Sequence, residues 1–389
     1  MRLDLQRLRA DFPPLQNFVW FQNGGVSITP RPVAEVHAGL MRELYERGPM
    51  HIAFPQEEYP RRQRSMARLA RFFAVAPAEL ALMRGVSEGY QTLLRGLDWR
   101  PGDRLLIGPD EEVALLLPSL HLRDERGVEV VKVPLVEDEE GQVAEFEKRW
   151  TPSTRLVALS HVSTELGWRV PAAAICQLAR ERGALSFLDM AHSAGLYPMK
   201  LAELGCDFAG ILSYKWLYAP YAAGALYVRP ESLGALKVVY AGGRGEKCID
   251  FQKGEYELQE GAGRFQYGPW SWPLVHAWAA ALDYLESIGL EEIWVRTVAL
   301  TSRLKAGLEP IPGLTLHTPA SPERSAALVS FGLKGWTGEE LCQQLRQRWQ
   351  IVTRHLNHGP VGVRASIGFF TLEAEVDLLV EAVGALTRQ

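Results

Sequence analysis

An alternation of short apolar runs with amphipathic stretches, from about residue 80 to residue 230, most constrains the fold of this chain. Seven of the runs are predicted strands, at residues 80–84, 104–108, 128–135, 155–161, 185–191, 208–214 and 224–229. Helical patterns lie between several of them, such as residues 171–182, which end at Gly183 where a left-handed C-cap is expected. Because strands separated by helices need crossover connections, the pattern predicts an α/β domain with a mostly parallel sheet.

Beyond about residue 270 the pattern changes to longer helices around a few strands. The predicted helices are residues 272–290, 291–308, 338–349 and 372–386, and the predicted strands are residues 326–333 and 361–367. This arrangement indicates a smaller α+β domain at the carboxyl end. A chain of 389 residues is too long for one simple core, so we predict a large domain at residues 16–265 and a small domain at residues 1–15 and 266–389.

Charge, hydropathy and cysteine usage argue against several classes of protein. The chain has 42 basic and 46 acidic residues, whereas proteins that bind nucleic acids by neutralising phosphates usually carry a basic surplus. No window approaches about 18 consecutive apolar residues, and the amino terminus is charged rather than signal-like. The four cysteines are scattered without a CxxC pair, which argues against a disulfide framework or a zinc cluster. We therefore expect a cytoplasmic protein with no nucleic-acid, membrane or metal partner.

The first segment that suggests chemistry is residues 82–94 (LMRGVSEGYQTLL), where an apolar run meets a glycine-containing turn and then a helix. Gly85, Val86, Ser87 and Glu88 would bring free backbone N–H groups, a hydroxyl and the positive end of a helix to one point, which suits a phosphate group. A plain serine N-cap between strand and helix is the alternative. The segment is not a Walker loop, because neither GxxxxGKS nor GxxxxGKT occurs in the chain.

The second segment is residues 186–195 (SFLDMAHSAG), in which Asp189 ends an apolar strand and His192 follows three residues later. Burial of a carboxylate there is costly unless a cation or several donors receive it. The alternative is structural: the aspartate caps the next turn and the histidine fills a gap in the core.

The third segment is residues 208–220 (FAGILSYKWLYAP), in which Lys215 follows a buried strand among aromatic and small residues. Lys132 lies in a strand-like run among charges, and we expect the remaining seven of the nine lysines to lie in polar helices or loops. A desolvated lysine has a depressed pKa and can form a Schiff base. The alternative is a lysine at a domain edge that extends its ammonium group to solvent.

The three segments together match the needs of one cofactor. Pyridoxal 5'-phosphate (PLP) requires a lysine for covalent attachment, a carboxylate that keeps its pyridine nitrogen protonated, and a binding site for its phosphate. The structural alternatives are far less probable jointly than singly. The sequence therefore predicts a PLP site.

These segments, with residues 224–228 (GALYV), resemble the signature of class V aminotransferase-fold PLP enzymes. The likeness covers most of the chain, including residues 21–25 (FQNGG), 160–167 (SHVSTELG) and 363–366 (VRAS). The resemblance implies the fold-type-I architecture, with a mostly parallel seven-stranded sheet in the large domain. It also implies a cytoplasmic homodimer with active sites shared between its subunits.

The resemblance also implies roles for individual residues. Lys215 is expected to form the Schiff base, Asp189 to pair with the pyridine nitrogen, and His192 to lie near the phenolic oxygen. The other residues expected around the cofactor are Gly85, Val86, Ser87, Glu88, Val113, Ser213, Tyr214 and Gly268. Arg364 matches the arginine that binds the substrate carboxylate, a task its bidentate fork suits, and Asn23 belongs to the substrate-side loop.

Three positions depart from the family pattern. Val113 is expected to take the place of the histidine or aromatic residue that covers the cofactor ring, so no acid–base group is expected there. Pro269 replaces the threonine that reaches the partner subunit's phosphate. The loop at residues 352–362 holds His355 and His358 but no cysteine, so we predict neither a metal site nor cysteine desulfurase activity.

Aminotransfer between an amino acid and a 2-oxo acid is the first functional expectation, because it needs only Lys215 to move the proton and Arg364 to hold the carboxylate. A kynureninase-like carbon–carbon lyase is the first alternative. An isopenicillin N epimerase-like epimerase is the second. A PLP-fold protein that has lost catalysis is disfavoured by the presence of Lys215, Asp189 and Arg364.

Overall fold

In the computed structural model, which describes residues 3–387, a seven-stranded sheet, a four-stranded sheet, two two-stranded sheets and the helices around them form the fold. The strands are β1 (Val19–Trp20), β2 (Leu80–Met83), β3 (Arg104–Ile107), β4 (Glu129–Lys132), β5 (Thr154–Ser160), β6 (Leu185–Asp189), β7 (Phe208–Leu212), β8 (Gly224–Val228), β9 (Glu246–Asp250), β10 (Glu255–Leu258), β11 (Leu314–Leu316), β12 (Leu328–Leu333), β13 (Ile351–Val352), β14 (Arg354–His355) and β15 (Val363–Ser366). The α-helices are α1 (Leu5–Ala10), α2 (Arg31–Arg47), α3 (Met50–Ala53), α4 (Pro55–Phe72), α5 (Val86–Gly96), α6 (Val113–Arg126), α7 (Glu139–Lys148), α8 (Ala172–Glu181), α9 (Leu201–Leu204), α10 (Trp272–Ile288), α11 (Leu290–Leu308), α12 (Gly338–Trp349) and α13 (Glu373–Leu386).

The large sheet has seven strands in the order β2-β8-β7-β6-β5-β3-β4. Strand β8 runs opposite to the others, so its pairs with β2 and β7 are antiparallel. The remaining pairs are parallel. Every residue of β2, β7 and β8 is buried, as expected for continuous apolar runs covered on both faces. The predicted α/β fold with a mostly parallel seven-stranded sheet is therefore confirmed.

The second sheet lies in the carboxyl-terminal third and has the order β11-β12-β15-β14. Its strands pair antiparallel, and its apolar face packs with the helices α11, α12 and α13 around a separate core that includes Leu304, Leu345 and Leu379. The division at residue 266 stays a prediction. Helix α10, which that division gives to the small domain, contributes Trp278 and Leu282 to the core beside the large sheet.

Several short elements were not anticipated from the sequence. The β9–β10 hairpin is mostly exposed, and β1 pairs with β13 over only two residues, so neither carries a clear hydrophobic period. Tertiary contacts rather than local pattern define such elements. Within residues 3–387, no helix is both long and apolar enough to cross a membrane.

Candidate active site

A cavity of about 600 Å³ lies where strands of the large sheet end. Such an edge is where ligands gather in parallel sheets, because the loops that follow the strands meet there. The sequence-predicted residues that line it are Gly85, Val86, Ser87, Glu88, Val113, Asp189 and Tyr214. Segments more than 100 residues apart in the chain therefore meet at one site.

Lys215 lies in the tight turn that follows β7 and is 4% exposed. Its Nζ lies 3.2 Å from Nε2 of His192 and 3.5 Å from Oε2 of Glu112. Burial lowers the pKa of Lys215, while the carboxylates of Glu112 and Asp189 oppose that shift. Gly195 lets the preceding loop approach this turn, because a Cβ there would lie 2.4 Å from the carbonyl oxygen of Trp216. The lysine is thus held desolvated, as its predicted role requires.

Asp189 and His192 occupy the loop after β6. The Ala191 N–H donates to Oδ1 of Asp189 at 2.7 Å. Burial raises the pKa of Asp189 to about 6, and the charge of Lys215 acts in the opposite direction. Burial also lowers the pKa of His192 well below its ordinary value, so the imidazole is uncharged at neutral pH. A buried carboxylate with a raised pKa is one that a further cation would stabilise.

The opposite end of the cavity is formed by the first turn of α5. Its N-terminal N–H groups and the Ser87 side chain face an open region, as the predicted phosphate site requires. The Glu88 carboxylate accepts hydrogen bonds from the Arg84 backbone N–H at 2.6 Å and from the Tyr267 hydroxyl at 2.8 Å. Glu88 therefore links the turn before α5 to Tyr267 at this end of the cavity, and its charge is balanced by Arg84.

Four of the residues expected around the cofactor do not line this cavity: His192, Ser213, Lys215 and Gly268. Of these, Lys215 contacts Glu112, which does line it, and His192 contacts Lys215. Ser213 is fully buried and its hydroxyl donates to the carbonyl oxygen of Pro220, which fixes the turn that carries Lys215. Gly268 lies in a neighbouring cavity of about 430 Å³ together with Pro269 and Trp270. The structure thus gives Ser213 a structural contact, and it places Gly268 in the neighbouring cavity, which shares Arg84, Glu88 and Tyr267 with the first.

Arg364 lies in β15 and is 0% exposed. Its Nη1 donates to the carbonyl oxygen of Thr164 at 2.5 Å, whereas Nε and Nη2 have no partner within residues 3–387. Burial, together with the charge of Arg354, lowers the pKa of Arg364 to about 10. A Cβ at Gly24 would lie 3.2 Å from Nη2, so this glycine keeps the space beside the guanidinium free. The unsatisfied edge is suited to a carboxylate.

Asn23 lies on the same segment as Gly24 and is fully buried. Its Nδ2 donates to the Tyr218 hydroxyl at 2.5 Å, and its Oδ1 has no partner among the described residues. Asn23 directly precedes Gly24, the glycine that approaches Arg364, and its role toward a substrate stays a prediction.

Three consecutive acidic residues after β3 have three different environments. Asp110 accepts the backbone N–H groups of Glu165 at 2.8 Å and Leu166 at 2.9 Å. Glu111 is buried against Ser160, whose N–H and hydroxyl donate to it, and burial raises its pKa to about 8. Glu112 faces Lys215 and lines the cavity.

The expectation built on Val113 has to be corrected. Val113 begins α6 and is 58% exposed at the cavity edge, while the adjacent Glu112 brings a carboxylate to the lysine. An ionisable group therefore does stand beside Lys215. The sequence did contain a signal for this carboxylate: a run of acidic residues directly follows a buried strand, where each carboxylate needs a partner.

The loop that follows α12 is tied to the same region. His358 Nε2 lies 2.9 Å from Oδ1 of Asp110, and Arg354 pairs with the buried Glu165 at 2.5 Å.

Within residues 3–387, no three potential metal-ligating side chains cluster. All four cysteines lie within these residues, and none of them lines the cavity.

Comparison with known proteins gives a consistent family. The model of the family described as "Aminotransferase class-V" matches residues 19–379. A probable cysteine desulfurase of Methanothermobacter thermautotrophicus is 26% identical over 395 residues, covering 97% of this chain and 96% of the relative. The isopenicillin N epimerase of Streptomyces clavuligerus is 30% identical over 344 residues, covering 82% of this chain and 83% of the relative.

Among solved structures, a mutant of C-DES with glycine covalently linked to its PLP cofactor has a TM-score of 0.89 and 26% identity, and the match covers 97% of this chain and 98% of that chain. A second structure describes C-DES as a cystine C–S lyase in complex with cysteine persulfide. The desulfurase names among the relatives give no support to our prediction that this chain lacks that activity.

The residues of the cavity fit PLP. Asp189 supplies a buried carboxylate for the pyridine nitrogen, the first turn of α5 supplies donors for the phosphate, and the Lys215 amine contacts Glu112 in the cavity wall. The unpartnered edge of Arg364 supplies a place for the carboxylate of an amino acid. The cofactor of this site is PLP.

Proposed function

The chain belongs to the class V aminotransferase family of PLP-dependent enzymes, and from this premise we propose that it is an aminotransferase that acts on an amino acid and a 2-oxo acid. One observation carries the proposal: the buried Lys215 amine has only two long contacts, and the buried Arg364 guanidinium leaves Nε and Nη2 without a partner among the described residues. A substrate whose carboxylate is bound by Arg364 would therefore present its α-carbon near a competent base.

Bound PLP supplies an electron sink for the electrons left on the α-carbon when its proton is removed. Lys215, once uncharged, would take that proton and deliver it to the cofactor carbon on the far side of the substrate nitrogen, on the same face. Arg364 holds the substrate carboxylate through two parallel hydrogen bonds, which fixes the α-carbon relative to Nζ. Asp189 would pair its buried carboxylate with the protonated pyridine nitrogen.

A β-eliminating lyase acting on a sulfur-containing amino acid is the second candidate function. It is favoured by Glu112, whose carboxylate beside Lys215 provides a second proton-carrying group that elimination can use on the leaving atom. The name of C-DES, a cystine C–S lyase, points the same way. The kynureninase-like and epimerase alternatives remain, and the absence of a thiol at the cavity still argues against a desulfurase that uses its own cysteine.

A single-turnover experiment separates these reactions. Enzyme with bound PLP is mixed with each amino acid in the absence of an acceptor, and the bound cofactor's absorbance and the organic products are measured. Aminotransfer predicts conversion of the cofactor to its amine form with one equivalent of 2-oxo acid. Catalytic release of pyruvate and a thiol, of alanine from kynurenine, or of racemised amino acid would each refute aminotransfer in favour of one rival.

We also propose that the chain works as a cytoplasmic homodimer with shared active sites. Apolar side chains at the cavity edge support an additional covering surface, since Val113, Tyr221 and Tyr240 are exposed there or beside it. Light scattering on the eluting protein should give twice the mass of the chain. A single-chain mass with full activity would refute the dimer.

A further inference from the structure

Glu112 occupies the N-cap position of α6 without capping the helix. Its backbone is extended, with φ −68° and ψ 159°, and its side chain makes no hydrogen bond to the first turn. Its Oε2 instead lies 3.5 Å from Nζ of Lys215. Among residues 3–387 the carboxylate has no other hydrogen-bond or ion-pair partner. Among the described residues, the Glu112 carboxylate therefore bonds only to Lys215.

The other charged groups around Lys215 have separate contacts. Asp189 accepts the Ala191 N–H, Arg354 pairs with Glu165, and Arg364 donates to the Thr164 carbonyl oxygen. His192 is held uncharged by burial and its Nδ1 accepts from Trp216. Glu112 is thus the carboxylate in direct contact with Nζ that has no other task in the structure.

The environment of Glu112 responds to the charge of its partner. Burial favours the neutral acid, but the charges of Lys215, Arg354 and Arg364 hold the pKa of Glu112 below its ordinary value. When Lys215 loses its proton, the largest of these opposing charges disappears, and burial then favours protonation of the carboxylate. Transfer of the proton converts this partly buried ion pair into two neutral groups.

We propose that Glu112 is a further catalytic residue, which accepts the proton that Lys215 must lose before its amine can attack an aldehyde carbon. An N–H bond of the ammonium group breaks as an O–H bond forms on Oε2, and the freed electron pair of Nζ bonds to the carbon. Glu112 carries two hydrogens in turn from the nitrogen to the aldehyde oxygen, which leaves as water. The nitrogen keeps the third hydrogen and the positive charge, and Glu112 ends ionised as it began.

The test follows capture of an aldehyde at Lys215 in the full-length protein after removal of bound cofactor. Pyridoxal is the probe, cyanoborohydride traps the product, and peptide mass spectrometry measures the label on Lys215. Glu112→Gln is compared with wild type and with Glu125→Gln, which removes the same charge near the other end of α6, where Glu125 pairs with Arg95.

Proton transfer and simple electrostatics predict opposite signs. Because the Glu112 carboxylate raises the pKa of Lys215, its removal leaves more neutral amine, and electrostatics alone predicts faster capture. The proposal predicts that Glu112→Gln slows capture by about tenfold or more at neutral pH, with Glu125→Gln close to wild type. Capture as fast as wild type, or faster, would overturn it.

Trinitrobenzene sulfonate supplies a second readout, since it needs only the neutral amine. Its pH midpoint at Lys215 should fall by about one unit in Glu112→Gln, which also shows that the variant keeps the site folded. An unchanged midpoint would refute the contact. The proposal rests on PLP as the cofactor and not on aminotransfer. A wild-type enzyme that forms no 2-oxo acid would therefore refute aminotransfer, while both labelling results would still decide the role of Glu112.

Discussion

Within residues 3–387 two lysines are buried, and their surroundings differ. Lys215 and Lys305 are 4% and 5% exposed. The ammonium group of Lys305 donates to the carbonyl oxygens of Pro319 at 2.9 Å and Ala320 at 2.8 Å and to the Ser325 hydroxyl at 2.9 Å. Lys215 has one long contact with a carboxylate and one with an uncharged imidazole. Both side chains are buried, but of the two only Lys305 has a hydrogen-bond acceptor for each N–H group of its ammonium.

The difference separates a structural lysine from a reactive one. Three acceptors around Lys305 use all three of its N–H groups, so the side chain ties helix α11 to the loop before β12. The contacts of Lys215 leave room for a ligand, and its neighbours Asp189 and Glu112 line a cavity. A buried cation with incomplete hydrogen bonding beside a cavity is therefore the better marker of function.

The largest expected effect comes from exchanging the lysines for side chains without an amine. Lys215→Ala should lower kcat by about 10³-fold or more, because the group that moves the substrate proton is lost. Lys305→Met should keep kcat close to wild type, because its contacts lie away from the cavity. Steady-state assays of both variants check this. Strong loss of kcat in folded Lys305→Met with retention in Lys215→Ala would reverse the assignment.

The same contrast holds for two buried aspartates. Asp207 accepts hydrogen bonds from the Ser186 N–H and hydroxyl, both at 2.8 Å, and pairs with Arg229, whereas Asp189 faces the cavity. We expect Asp189→Asn to lower kcat by about 10²-fold with little change in stability, since a neutral amide cannot balance a protonated pyridine nitrogen. Asp207→Asn should instead cost about 3 kcal/mol of unfolding free energy. Kinetics and denaturant unfolding of both variants decide the matter, and near wild-type kcat in Asp189→Asn would contradict the role.

A third comparison concerns two arginines with bidentate capacity. Arg364→Lys keeps a charge but loses the fork, so amino acid binding should weaken by about 1–3 kcal/mol. Arg303 uses its fork on Asp377 at the surface, and Arg303→Lys should leave binding unchanged. Titration of the bound cofactor's absorbance with substrate measures both affinities. Equal affinity in Arg364→Lys and wild type would place the carboxylate elsewhere.

The smallest expected effect is a pH dependence of stability. Burial lowers the pKa of Lys305 to about 8, below the value of about 10.4 for an unfolded lysine. Between these two values the unfolded chain binds more protons, so this group's contribution to stability rises with pH. From about pH 8 to pH 10, the unfolding free energy of wild type should therefore rise relative to that of Lys305→Met. The rise is at most about 1.4 kcal/mol per pH unit. If the unfolding free energies of the two proteins change equally with pH, the lowered pKa of Lys305 is contradicted.

The sequence allowed prediction of the features that follow from strand periodicity. Asp189 and Lys215 stand directly after apolar runs, and a parallel sheet brings the ends of such runs to one edge. Those positions could be named because a single local pattern defined them. The seven strands of the large sheet were predictable for the same reason.

Other features depend on contacts between distant segments and could not be predicted in this way. Lys305 was expected to lie in a polar helix, but it follows the buried Leu304 and meets a loop that no local pattern places beside it. Glu112 was passed over for Val113 although both line the cavity, because only the folded structure shows that the Glu112 carboxylate reaches Lys215. Ser213 was assigned to the phosphate, although the following turn uses its hydroxyl.

Borohydride reduction of the purified protein, followed by peptide mapping, tests the central claim most directly. Lys215 should carry the reduced cofactor at close to one equivalent per chain, and Lys305 should carry none. Reduction also removes turnover, which links the label to activity. Cofactor fixed to Lys305 or to any other lysine, with the Lys215 peptide unmodified, would contradict the account.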